Sequence, residues 1–137
     1  MYIHETKIRV RYGETDQMGY VYYGNYAEFY EVARVEMLRN LGLSYKWMEA
    51  TGIMMPVLEL KCKYIKPALY DDLITIRVML KELPKTRIVF YYELYNEQNE
   101  LINIGETTLV FVNIESERPT VGPDEFMNKL EPYFKNE

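Results

Sequence analysis

Apolar and polar positions alternate at the start of the chain. Ile8, Val10 and Tyr12 fall on one side and Lys7, Arg9 and Arg11 on the other, the period-two pattern of a half-buried strand. Residues 13–24 lose this regularity and contain Asp16 and Gly19, with Asn25 just beyond, as turn or cap residues. The period then changes. Tyr26, Phe29, Tyr30, Ala33, Met37 and Leu41 recur at helical spacing, while Glu28, Glu31, Arg39 and Asn40 fall mostly elsewhere, so a long amphipathic helix is predicted. Asn25 with Glu28 three residues on resembles a capping box, and Gly42 suits the left-handed residue that ends a helix. A shorter helix is predicted from Ser44 to about Gly52. Strand patterns follow at 57–65, 74–80, 88–95 and 102–113, with 96–100 as a hairpin loop between the last two. Pro123, Asp124 and Glu125 open a C-terminal helix, with the acidic pair where the helix dipole favours negative charge.

The order strand, long helix, short helix and four successive strands predicts an α+β fold. Short links between consecutive strands favour an antiparallel meander over parallel βαβ units. Only the sheet is large enough to cover the apolar stripe of the long helix. Val89, Tyr91, Tyr95, Leu109 and Phe111 are assigned to the opposite sheet face, and such a face is normally covered, which implies self-association. Residues 1–137 contain no repeat, low-complexity stretch or linker and are read as one domain.

The length of 137 residues suffices for a core without metals or disulfides, and 48% hydrophobic with 27% charged residues is globular. No apolar run nears the ~18 residues of a membrane span, the first residues lack the basic-then-apolar layout of a signal peptide, and the single cysteine cannot pair internally, so a cytoplasmic home is expected. A net charge of −5 argues against general nucleic-acid binding while leaving room for a local basic patch. Fourteen tyrosines against one tryptophan suit half-buried walls and interfaces.

Several chemistries drop out. His4 is the only histidine and falls in a terminus expected to fray, so serine or cysteine hydrolysis through a histidine base has little support. Cys62, between Lys61 and Lys63 in a strand, reads as a buried structural thiol. No His/Cys cluster could hold zinc, no glycine-rich phosphate loop occurs, and neither metal nor cofactor is expected. Carboxylates remain. Asp16, in a glycine-containing loop ahead of the long helix, is either a turn cap or a catalytic group, and Glu14 is its rival. Glu28, Glu31 and Glu36 are helix-surface or cap positions, and Glu59 in its strand faces either a ligand or solvent.

The run Glu14-Thr15-Asp16-Gln17-Met18-Gly19-Tyr20-Val21-Tyr22-Tyr23-Gly24-Asn25-Tyr26 resembles the signature of the hotdog-fold acyl-CoA thioesterases of the 4-hydroxybenzoyl-CoA thioesterase class. Pro56-Val57, Tyr64-Ile65-Lys66-Pro67-Ala68, Tyr70-Asp71-Asp72, Arg118-Pro119 and Pro123 match in the same order, so the resemblance spans nearly the whole chain. It implies a curved antiparallel sheet of about five strands wrapped around one central helix, in a homodimer or homotetramer. It starts that helix near Tyr22 or Tyr23 rather than after Asn25.

The implied chemistry is hydrolysis of an acyl-CoA thioester. Asp16 would activate water or attack the carbonyl, and the main-chain amides of Tyr23 and Gly24 would polarise it. Many relatives carry histidine where this chain has Tyr23. Its absence leaves Asp16 more solitary and weakens the rival hydratase reading. The resemblance further implies substrate contacts from Tyr22, Asn25, Tyr26 and Glu59, phosphate contacts from Lys61, Lys63, Lys66, Lys85 and Arg87, and pocket walls from Tyr22, Tyr26, Tyr30, Trp47 and Met54. Coenzyme A enters as part of the substrate. An acyl-carrier-protein thioesterase and a non-catalytic acyl-CoA-binding protein are the two alternative readings.

Overall fold

The first strand, β1 (Tyr2–Arg9), begins at the second residue, and His4 lies within it opposite Val78, half-buried rather than frayed. The computed structural model describes residues 1–135. Val10 continues the alternation inward, but the chain then turns through residues 12–14, and Tyr12, predicted to face in, is 80% exposed.

A single 3₁₀ turn, Tyr23–Asn25, leads into the long helix α1 (Tyr26–Asn40), so the two predicted starting points are successive parts of one element. The expected capping box does not form. The Asn25 amide instead donates from Nδ2 to the Glu14 carbonyl at 2.9 Å, tying the helix start to the preceding loop. Gly42, at φ +79°, ends the helix in the left-handed conformation that favours glycine. In the short helix α2 (Tyr45–Ala50), Ser44 caps as expected, its Oγ accepting from the Trp47 amide at 3.0 Å.

The remaining strands are β2 (Ile53–Met54), β3 (Val57–Tyr64), β4 (Leu73–Leu80), β5 (Arg87–Tyr95), β6 (Leu101–Val110) and β7 (Val112–Asn113), followed by helix α3 (Asp124–Leu130). The main sheet is antiparallel with order β1-β4-β5-β6-β3, and β2 pairs separately with β7. It is therefore not a simple meander. The chain crosses from β3, on one edge, to β4, and β3 pairs only with β6.

The core lies between α1 and one face of the sheet. Tyr26, Phe29, Tyr30, Ala33, Met37 and Leu38 of the helix meet Ile74, Ile76, Val78 and Leu80 of β4 and Ile88, Phe90, Tyr92 and Leu94 of β5, all nearly inaccessible to solvent. Burial of this apolar surface is the main term favouring the fold. Leu109, opposite Ile88, and Phe111, packed edge-on against Phe126 of α3, belong to this interior and not to the outer face. Val89, Tyr91 and Tyr95 do lie on that outer face, half-buried.

Polar groups enclosed between the helix and the sheet find partners there, whereas Arg77 Nε, on the other sheet face, is buried without a hydrogen bond. Arg34 donates to Tyr92 Oη at 3.0 Å and Tyr45 Oη at 3.3 Å, and the Tyr92 hydroxyl pairs with Thr107 Oγ1 at 2.6 Å. Tyr30 stacks on Tyr92 with centroids 4.2 Å apart and bonds through its hydroxyl to Asn103, with Cys62 Sγ 3.1 Å away. Cys62 is thus half-buried at the edge of a tyrosine cluster. Among the described residues no helix is long and apolar enough to cross a membrane.

Candidate active site

The loop between β1 and α1 distinguishes its two carboxylates. Glu14 is buried, and its side chain is committed locally: Oε1 accepts from the Arg11 amide at 2.7 Å and Oε2 from the Arg11 guanidinium at 3.1 Å. Its carbonyl accepts from both the Tyr22 amide at 2.8 Å and Asn25 Nδ2. Glu14 therefore builds the loop. Asp16, two residues on, is half-buried and uses only Oδ1, which accepts from the amides of Met18 at 2.9 Å and Tyr20 at 3.2 Å. Gly19, at φ +76°, lets that turn close, and its amide returns to the Asp16 carbonyl at 3.0 Å. Asp16 Oδ2 has no partner among the described residues. The turn-cap and reactive readings of Asp16 are thus compatible, with one oxygen for each.

Asp16 opens onto a cavity of about 320 Å³, lined also by Met18, Tyr20, Val21, Tyr23, Tyr26, Tyr64, Ile65, Lys66 and Pro67. A cleft walled by aromatic and aliphatic side chains with one free carboxylate oxygen suits an acyl group bearing a reactive carbonyl. On the helix side, the Asn25 amide is used by the Tyr22 carbonyl and the Tyr26 amide by the Tyr23 carbonyl. The amides of Tyr23 and Gly24 have no main-chain acceptor among the described residues, the normal condition of a helix start. Such amides attract developing negative charge. Gly24 also allows close packing, because a Cβ there would come within 2.7 Å of the Tyr22 ring.

The structure brings together Asp16, Tyr23, Tyr26 and Lys66 around this cavity. Tyr22 leans on Tyr23 with centroids 4.6 Å apart, and Gly24 and Asn25 complete the turn beside it. Lys66 is held in an ion pair by Glu100, which keeps the Glu100 carboxyl below its usual range, helped by Asn96.

The other candidates lie apart within one protomer. Glu59 and Lys61 pair with each other at 3.3 Å on the outer sheet face, where Lys61 also meets Glu106 at 3.5 Å. Lys63 is exposed on the same strand. Lys85 and Arg87 line a different cavity, of about 320 Å³, with Leu83, Val89 and Tyr91. Of the proposed walls, Tyr30 is sealed in the core, Trp47 packs half-buried against it, and Met54 lines a third cavity with Tyr45, Met48 and Met55. Reading the sequence did not single out Tyr64, Tyr20 or Ile65 as wall residues. For Tyr64 the signal was the alternation of Leu60, Cys62 and Tyr64, which puts it on the helix side of β3.

The fold agrees with the family comparison. A model of the thioesterase-like superfamily matches residues 10–130. The chain belongs to that superfamily, and it is a thioester hydrolase with the hotdog fold. It is similar to the acyl-CoA thioester hydrolase YbgC of Escherichia coli O6:H1, at 34% identity over 116 residues, covering 85% of this chain and 87% of that protein. Similarity also extends to the long-chain acyl-CoA thioesterase FadM of Escherichia coli K12, at 29% identity over 96% of this chain and 99% of the relative. Among solved structures, the DHNA-CoA thioesterase from Staphylococcus aureus superposes with a TM-score of 0.84 at 35% identity, covering 99% of this chain and 86% of that one.

Proposed function

We propose that this chain is an acyl-CoA thioesterase, in which Asp16 is the general base or nucleophile and the amides of Tyr23 and Gly24 stabilise the oxyanion. The observation that carries this reading is the shared cavity: a half-buried carboxylate with one free oxygen and the unpaired start of a helix open onto the same apolar cleft. As water or the carboxylate adds to the thioester carbonyl, its oxygen gains negative charge that preoriented amides stabilise. Collapse expels the coenzyme A thiolate, which takes up a proton to leave as the thiol. By the base route the acyl group departs as the free acid. By the nucleophilic route it stays on Asp16 as a mixed anhydride until water cleaves it. A thiolate leaves readily, so no histidine acid is needed.

The acyl group rests against Tyr20, Val21, Tyr26 and Tyr64, with Tyr22 and Asn25 shaping the turn and Lys66 at the rim for a coenzyme A phosphate. The working unit is a homodimer formed through β3. This edge strand exposes Val57, Leu58, Leu60 and Tyr64, each more than two-fifths accessible, together with unpaired main-chain groups, and such edges are normally covered. Antiparallel pairing of two β3 edges sets the Lys85–Arg87 end of one protomer near the Asp16 end of the other. That brings Lys61, Lys63, Lys85 and Arg87 within range of the nucleotide, with Glu59 beside them. The test is thiol release across short, medium, long and aromatic acyl-CoAs. Saturable turnover on at least one class is expected, and turnover on none contradicts the reading.

A further inference from the structure

Leu60, Cys62 and Tyr64 pair with Thr107, Gly105 and Asn103 and so share the helix-facing side of β3. Tyr64 is the last residue of this strand, where the sheet edge passes the start of α1. Its ring meets Tyr26 edge-on, with centroids 5.3 Å apart, and its hydroxyl donates to the Tyr23 carbonyl at 3.2 Å, across 41 positions of sequence. Among the described residues this is the one hydrogen bond that reaches the Tyr23–Asn25 turn from the sheet.

The turn needs such a hold. Tyr23 is 65% exposed and its ring leans on Tyr22, itself 46% exposed, so packing does little to fix the residue. Its carbonyl is gripped by the Tyr26 amide in a 3₁₀ bond, which has poorer geometry than an α-helical one. Tyr64 supplies the second grip on that same oxygen. We infer that Tyr64 is a positioning residue for thioester hydrolysis, holding the Tyr23 carbonyl and, through the planar peptide bond they share, the Gly24 amide that points the opposite way. The role rests on the thioesterase reading above.

Two features of Tyr64 fit this role. Burial, reinforced by the neighbouring Cys62 thiol, pushes its phenol up to about 12, so the donated proton is retained throughout the neutral range. A bond of 3.2 Å also leaves room to shorten when substrate closes the cavity, as hydrogen bonds in unliganded sites commonly do.

The variant Tyr64→Phe keeps the ring and its contact with Tyr26 while removing only the donor. With the best acyl-CoA substrate, kcat is expected to fall about 10-fold, the scale of an outer-shell orienting contact, with KM changed less than twofold and an unaltered melting temperature. A second readout is the Raman carbonyl stretch of benzoyl-CoA bound to the Asp16→Asn protein. Adding Tyr64→Phe should raise that frequency, because a displaced amide polarises the carbonyl less. Wild-type kcat in Tyr64→Phe, or a slower enzyme with an unshifted carbonyl, overturns the positioning role alone. Absence of hydrolysis by the wild-type protein overturns both this role and the thioesterase reading.

Discussion

Tyr30 packs so closely on Gly105 that a Cβ at position 105 would overlap its ring carbons and hydroxyl oxygen. The ring has no free space to enter. It is fully buried, stacked on Tyr92 at 4.2 Å, and bonded to Asn103. Gly105 also pairs with Cys62 on one side and Tyr92 on the other, so its backbone cannot retreat. Overpacking of this kind costs about 3 kcal/mol. Gly105→Ala is therefore expected to lower the denaturant midpoint by that equivalent, and a loss under about 0.5 kcal/mol would contradict the packing described.

The same cluster predicts a response to alkali. Burial pushes the Tyr92 phenol up to about 12, against the opposing pull of Arg34, and burial raises Tyr30 further. An unfolded tyrosine titrates near ~10. Below that pH both states keep the proton and stability is unaffected. Between about 10 and 12 the unfolded chain releases protons that the native state retains, so stability falls as pH rises. Thermal melts across this window should show a steep loss of Tm, and Tyr92→Phe should make the slope shallower. A pH-independent Tm up to 12 would contradict the assignment.

The β3 edge makes a prediction about assembly. Leu58 and Leu60 are about half exposed on a strand paired on one side only. Replacing both with lysine puts charge where a second copy is proposed to pair, a device that keeps natural edges apart. Sedimentation velocity should show the wild-type chain as a dimer or larger and the double variant as a monomer, with hydrolysis lost alongside. A wild-type monomer with full activity would contradict the proposed assembly.

What could be read from the sequence divides along physical lines. The long helix, the short helix and the five strands of the main sheet were legible as elements because their apolar residues repeat with one period along each. The Asp16 loop was legible because Asp16 and Gly19 carry turn chemistry and the segment resembles a known signature. The place of β3 was not. Whether it pairs with β4 or β6 depends on long-range register, such as Cys62 opposite Gly105, which leaves no local mark. Tyr12 misled because the alternation outlasts the strand, which ends where residues 71 and 72 close the ladder onto Val10. Asn25 looked like a cap for its own helix because its real partner, the Glu14 carbonyl, lies 11 residues back. The partner of Tyr64, the Tyr23 carbonyl, lies 41 positions away and leaves no local mark either.

The central claim is that Asp16 divides its labour, with Oδ1 closing the turn and Oδ2 reacting. Asparagine at this position keeps an oxygen for the amides of Met18 and Tyr20 but is neither base nor nucleophile, whereas alanine loses both functions. The decisive measurement is kcat and Tm of Asp16→Asn beside wild type, with Asp16→Ala for comparison. The account predicts that kcat for acyl-CoA hydrolysis falls about 10³-fold in Asp16→Asn at an unchanged Tm, while Asp16→Ala loses the same activity and also about 1 kcal/mol of stability. Hydrolysis by Asp16→Asn at the wild-type rate would contradict it.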